Sequence, residues 1–125
     1  MSKNEITAIV FDASLKIQKD IGPGLLESAY EECLFYELKQ FGLIVEKQKL
    51  MPLIYNEVKM DLGYRLDLLV ESKVVIEVKA CEGLTDVHLA QVLTYLKLTN
   101  CKLGLLINFN VALLKNGFRR VVNKL

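Results

Sequence analysis

Residues 64–80, YRLDLLVESKVVIEVKA, constrain the fold more tightly than any other stretch of the chain. Apolar residues recur at nearly every second position on both sides of Glu71, Ser72 and Lys73, the pattern of two strands joined by a short turn. A three-residue turn sets Val70 opposite Val74, and therefore Asp67 opposite Glu77 and Arg65 opposite Lys79. Tyr64, Leu66, Leu68, Val70, Val74, Ile76, Val78 and Ala80 then share one face. Leu69 and Val75, followed by Arg65, Asp67, Glu77 and Lys79, share the other.

Facing carboxylates repel unless a cation or a proton lies between them. The ordinary outcome for such a cluster is a solvated sheet face with cross-strand ion pairs. Here the opposite face is already apolar and a later helix is available to cover part of this one, which makes the cluster a candidate cleft. Two carboxylates on adjacent strands can hold a hard divalent cation such as Mg²⁺. Lys79, on the same face as Glu77, can orient or deprotonate a water on that cation or steady a phosphate, an arrangement suited to metal-assisted phosphodiester hydrolysis.

The remaining segments supply the rest of an α/β protein. Ile6, Ile9, Val10, Ala13 and Ile17 predict an amphipathic helix that stops at the Ile21–Gly24 segment IGPG, and Leu26, Ala29, Tyr30, Cys33 and Leu34 predict a second ending near Gly42. Strands are expected at 43–49 and 52–56, then the hairpin, with Pro52 arguing against an interior position for the second of these. Thr85 caps a third helix reaching about Thr99, residues 102–108 read as a buried strand, and a short final strand is expected at 118–123. The helix between the hairpin and the 102–108 strand permits one parallel crossover in a largely antiparallel sheet.

At 125 residues, 52% apolar and 25% charged, the sequence has the size of a single compact domain spanning 1–125 and leaves little room for disorder. It has no apolar run of bilayer length and carries charges where a signal peptide needs its hydrophobic region, so a cytoplasmic protein without membrane partners is expected. Cys33, Cys81 and Cys101 form no C-x-x-C pair and read as buried reduced thiols. The net charge of +1 conceals an asymmetry: residues 87–125 hold six basic side chains and no acidic one. Such a segment can follow a phosphate backbone, with Arg119 and Arg120 as candidates, or simply protect a terminal strand from pairing with other molecules.

Asp67 followed by Glu77-Val78-Lys79 across a hairpin resembles the D…(D/E)-x-K signature of the PD-(D/E)XK nuclease superfamily. GLLESAY, Gly24 to Tyr30, matches the G-x-x-E-x-x-Y motif of the GxxExxY protein family, a branch assigned to that superfamily; GYRLDLLVESKVVIEVKA, HLAQVLTYLKLT and GLLINF resemble its later blocks in the same order. The resemblance runs from about Ile17 to Val122. Leu66 stands where the superfamily name has proline, a position that tolerates variation.

The resemblance implies a restriction-endonuclease-like mixed sheet flanked by helices, with core order α-β-β-β-α-β. It implies a Mg²⁺-dependent nuclease acting on DNA, in which Mn²⁺ substitutes for Mg²⁺. Asp67 and Glu77 would be metal ligands, Glu27 the helix-borne acid near the metal, Lys79 the catalytic lysine, and Gln91 and Tyr95 a pair facing the site. Tyr30, Arg119 and Arg120 complete the substrate-side candidates. From the residues alone, Glu27 reads as a first-turn acid favouring the helix dipole and the two tyrosines as core rings with a wet hydroxyl. His88 reads as a helix-surface or substrate-side residue. The alternatives are a nuclease-fold module that binds nucleic acid or a partner protein without cutting, and a homodimeric structural protein with an ion-paired cluster. The small size also leaves room for a dimer or a larger complex.

Overall fold

The computed structural model describes residues 1–124. Helix α1 (Lys3–Ile21) starts at a capping box, in which Ser2 Oγ accepts from Glu5 N–H and the Glu5 carboxylate accepts from Ser2 N–H, and it ends at Gly22. Helix α2 (Glu27–Phe41) ends on left-handed Gly42. The strands are β1 (Val45–Met51), the short β2 (Ile54–Tyr55) and β3 (Val58–Lys59), β4 (Tyr64–Val70), β5 (Val74–Lys79), β6 (Leu103–Asn108) and β7 (Phe118–Val122), with helix α3 (Asp86–Thr99) between β5 and β6. As expected, Thr85 caps α3. Its hydroxyl accepts from His88 N–H while His88 Nδ1 accepts from Thr85 N–H, so His88 is a capping residue.

Five strands form one sheet in the order β1-β4-β5-β6-β7, antiparallel except for the β5–β6 pair made by the α3 crossover. This is the expected restriction-endonuclease-like arrangement. The 52–56 segment departs from expectation: it gives just Ile54–Tyr55, which pairs with Val58–Lys59 as a separate two-stranded ribbon. Pro52 lies in the break after β1, consistent with the ladder donor it lacks.

Helices α1 and α2 cover one sheet face, where Ile6, Val10, Tyr30, Leu34 and Leu38 pack on Leu68, Val70, Val74 and Ile76. Helix α3 covers the other, with Val92 and Leu96 on Leu66, Leu69, Val75 and Leu106. Gly104 in β6 permits this second contact, since a Cβ there would sit 2.6 Å from Val92 Cγ1 and 3.3 Å from Leu96 Cδ2. Gly104→Ala is therefore expected to destabilise the fold by about 1–3 kcal/mol through overpacking, read as a lowered midpoint in denaturant titration. An unchanged midpoint would show that α3 moves aside freely. The three cysteines are free but half-buried rather than buried, and no described helix is long and apolar enough to cross a membrane.

Candidate active site

The hairpin turns as its sequence requires, with Val70 paired to Val74, Leu69 to Val75 and Leu68 to Ile76. Glu71 and Ser72 occupy the left-handed region that closes the turn. One residue beyond Leu68 and Ile76 the ladder stops. Strand β4 continues along β1 to Tyr64, and β5 continues along β6 to Lys79, so a fork opens between β4 and β5.

Two carboxylates bridge the first missing rung. Asp67 N–H donates to Glu77 Oε2 at 2.9 Å, and Val78 N–H donates to Asp67 Oδ2 at 2.9 Å. The acids do lie across from each other, but each reaches the opposite backbone, and the expected pairing of Arg65 with Lys79 is absent from the ladder.

The expected apolar face also needs correction. Leu66 and Tyr64 pack beneath α3 with Leu69 and Val75, whereas Leu68 and Val70 face α1 and α2. Alternation thus fails across Asp67. The neighbouring strand is irregular at the same level: Gln48, which the β1–β4 register sets beside Asp67, has φ of 50° and makes no ladder pair there.

This irregularity brings acids from α2 to the fork. Glu31, which sequence reading missed, is 8% exposed and accepts two hydrogen bonds from Gln48 Nε2, both 2.8 Å. The β1–β4 register puts Gln48 beside Asp67, so these bonds hold Glu31 at the level of that acid. Burial raises the Glu31 carboxyl above its usual range, partly opposed by the Gln48 amide and reinforced by the Asp67 charge. The signal available in the sequence was the spacing of Glu27 and Glu31, four apart on one helical face.

Glu77, 3% exposed, is pushed up to about 8, first by burial and then by the Asp67 charge, against the pull of the Asp67 amide and Lys79. Asp67 is also raised, mainly by burial, with the Val78 amide and Lys79 opposing. Among the described residues, ion pairs join Lys16 to Glu37, Lys47 to Glu32 and Lys49 to Glu46; none involves Asp67 or Glu77. Cross-strand ion pairing therefore does not account for the cluster.

Lys79 Nζ donates to Gln91 Oε1 at 3.3 Å, and Gln91 Nε2 donates to the Tyr95 hydroxyl at 3.4 Å. Tyr64 stacks on Tyr95 with ring centroids 5.2 Å apart, fixing the far end of this relay. Lys79, Gln91 and Tyr95 thus come together on the α3 side of the fork. Glu27, the first residue of α2, turns its Oε2 toward Ala80 N–H at 3.4 Å and adds negative potential at Asp67. Asn108, a second residue missed in the sequence, closes β6 and ties down the segment after Lys79: its Oδ1 accepts from Cys81 N–H and its Nδ2 donates to Cys81 O. A polar residue ending a buried apolar strand was its signal.

The structure separates three other candidates from the cluster. Tyr30 is fully buried and stacked on Phe109, and its hydroxyl donates to Gly22 O and accepts from Leu25 N–H. It pins the loop before α2 and presents no surface to a substrate. Arg120 lies on the α1 face of β7 and donates to Asn4 Oδ1, away from the cluster. Arg119 is exposed and shares a level with Leu106 and Glu77, two strands away and about 10 Å across the sheet.

Asp67 and Glu77 fit a hard divalent cation by donor type: both offer carboxylate oxygens, Glu77 is buried and Asp67 half-buried, and neither forms an ion pair with a basic side chain. Each anchors one oxygen to the opposite strand, which fixes its orientation. Among the described residues no three Asp, Glu, His or Cys side chains form a ready-made cage. Glu27 in particular is turned onto the Ala80 amide. A cation held by two protein carboxylates keeps water in its other positions, as Mg²⁺ prefers.

A family model described as the PD-(D/E)XK nuclease superfamily matches residues 4–121. The crystal structure of SSO0001 is similar with a TM-score of 0.58 and 21% identity, covering 79% of this chain and 51% of that one. The likeness is one of fold, and the chain spans about half the length of that protein. No curated protein matches the chain.

Proposed function

We propose, from the premise that the chain belongs to the PD-(D/E)XK nuclease superfamily, that it is a Mg²⁺-dependent nuclease hydrolysing phosphodiester bonds in DNA. The observation that carries this reading is the fork: buried Glu77 and half-buried Asp67 on diverging strands, neither in an ion pair, beside a lysine held from the opposite helix. Asp67 and Glu77 would hold the cation, with Glu27 at the rim. When bound, it would polarise a phosphoryl oxygen and acidify a bound water. Mn²⁺ would substitute.

The chain's own groups divide the remaining work. The backbone amides of Asp67 and Val78 orient the two carboxylates. Gln91, itself bonded to Tyr95, holds Lys79 so that its ammonium can meet a phosphate oxygen or the attacking water. Exposed Arg119 can contact a phosphate farther along a bound strand. Gly24, Glu27 and Tyr30 support placement in the GxxExxY branch. A binding module that does not cut is the weaker reading, since phosphate binding alone gives no reason to set a buried and a half-buried carboxylate side by side next to a lysine.

The test is incubation with single-stranded, duplex and flapped DNA and with RNA, in Mg²⁺, Mn²⁺ or chelator. Metal-dependent cleavage of DNA is expected. Cleavage confined to RNA would reassign the substrate, and binding without cleavage of any member of the panel would favour the non-cutting module.

A further inference from the structure

Gln48 is an anomaly that chain reversal does not explain. Among the described residues, the other non-glycine positions with positive φ lie in turns, at the C-cap of α3 or at Lys124; Gln48 alone stands inside a strand. A non-glycine residue held there costs on the order of 1 kcal/mol or more and persists when surrounding contacts impose it. The contact observed is with Glu31, both of whose oxygens lie 2.8 Å from Gln48 Nε2. Gln48 itself stands beside Asp67 at the rung where β1 and β4 lose their pairing, so its amide holds Glu31 at the level of Asp67.

We propose that Gln48 and Glu31 are positioning residues for the cation site: the reversed backbone at Gln48 aims its amide at Glu31, and Glu31 sets the Asp67 carboxyl from the α2 side while Val78 N–H sets it from β5. The inference rests on the reading of Asp67 and Glu77 as a cation site and adds what orients it from outside the hairpin. Groups that hold a metal-binding carboxylate by hydrogen bonds commonly change affinity ten- to a hundredfold when removed.

The decisive variant is Gln48→Gly, because glycine accepts positive φ without penalty while removing the amide. Calorimetric Mn²⁺ titration of the full chain is expected to show affinity lowered by about tenfold or more, while the metal-free melting temperature stays level or rises. A merely structural Gln48 would give the opposite pattern, with lost stability and unchanged affinity, and would overturn the proposal. Should Gln48→Gly fail to fold, Gln48→Asn carries the measurement, since asparagine tolerates the left-handed region and its shorter amide does not reach Glu31. Glu31→Gln is expected to lower Mn²⁺ affinity on the same scale. Wild-type affinity in these variants overturns the inference alone, whereas a wild-type chain that takes up no Mn²⁺ overturns the cation site itself.

Discussion

Asp67→Asn and Lys79→Met are expected to fail in different ways. Asp67→Asn replaces a charged oxygen donor with a neutral amide, so Mn²⁺ affinity and cleavage are both lost. The fold should survive, because the asparagine carbonyl can still accept from Val78 N–H as the aspartate does at 2.9 Å. Removing one of two repelling carboxylates relieves Glu77, so the metal-free variant should melt no lower than wild type near neutral pH. Lys79→Met retains the apolar stem and removes the ammonium; metal binding should persist while the rate falls by about 10² or more. Calorimetric Mn²⁺ titration beside single-turnover cleavage separates the two. A Lys79→Met protein that cuts at the wild-type rate would remove the lysine from the mechanism, and an Asp67→Asn protein with wild-type Mn²⁺ affinity would remove the metal site.

Metal-free protein is expected to lose stability as pH rises from the ordinary carboxylate range toward about 8. Burial raises Glu77 to about 8 and also raises Asp67, so between those limits the native chain binds more protons than the unfolded chain. The slope of unfolding free energy with pH is then negative, and the contribution, present in acid, is gone above the native value. For groups this buried it amounts to a few kcal/mol at most. A divalent cation replaces the protons and should flatten the slope, so the rise in melting temperature on adding Mg²⁺ should be larger at about pH 8 than at about pH 5. Thermal melts at both pH values, with and without Mg²⁺, provide the check. A metal-free protein more stable at the higher pH, or an equal Mg²⁺ effect at both, would contradict the electrostatics described for the fork.

The hairpin was legible because its information is local. Alternation placed the turn at Glu71, Ser72 and Lys73, and with it Asp67 across from Glu77, where each carboxylate reaches the opposite backbone. Helix ends at Gly22, Gly42 and Thr85 were equally plain, each marked by a residue whose backbone or hydroxyl suits the position. The fork was not legible, since period-two reasoning extends a ladder until a glycine or proline interrupts it and neither occurs between Tyr64 and Lys79. What separates the strands is a tertiary exchange, in which carboxylates take the amides that carbonyls would otherwise hold. Leu66 was assigned to the wrong face for that reason. Glu31 and Gln48 were missed because their meeting joins a helix to a strand 17 residues away, and no pattern within either segment marks it. Tyr30 carried two readings from the sequence, and its buried ring matches the core one, with the hydroxyl taken up by the chain ahead of α2.

The joint between β4 and β5 uses the same atoms as the proposed chemistry. In an ordinary sheet the amides of Asp67 and Val78 would be bound to carbonyls, whose hydrogen-bonding strength does not change with pH or ligand. Here both answer to side-chain oxygens whose charge does change. Those two backbone protons are therefore built-in indicators: their magnetic resonance frequencies and their exchange with deuterated solvent should register each proton or ion that arrives at the acids, in the unaltered protein and without any substrate.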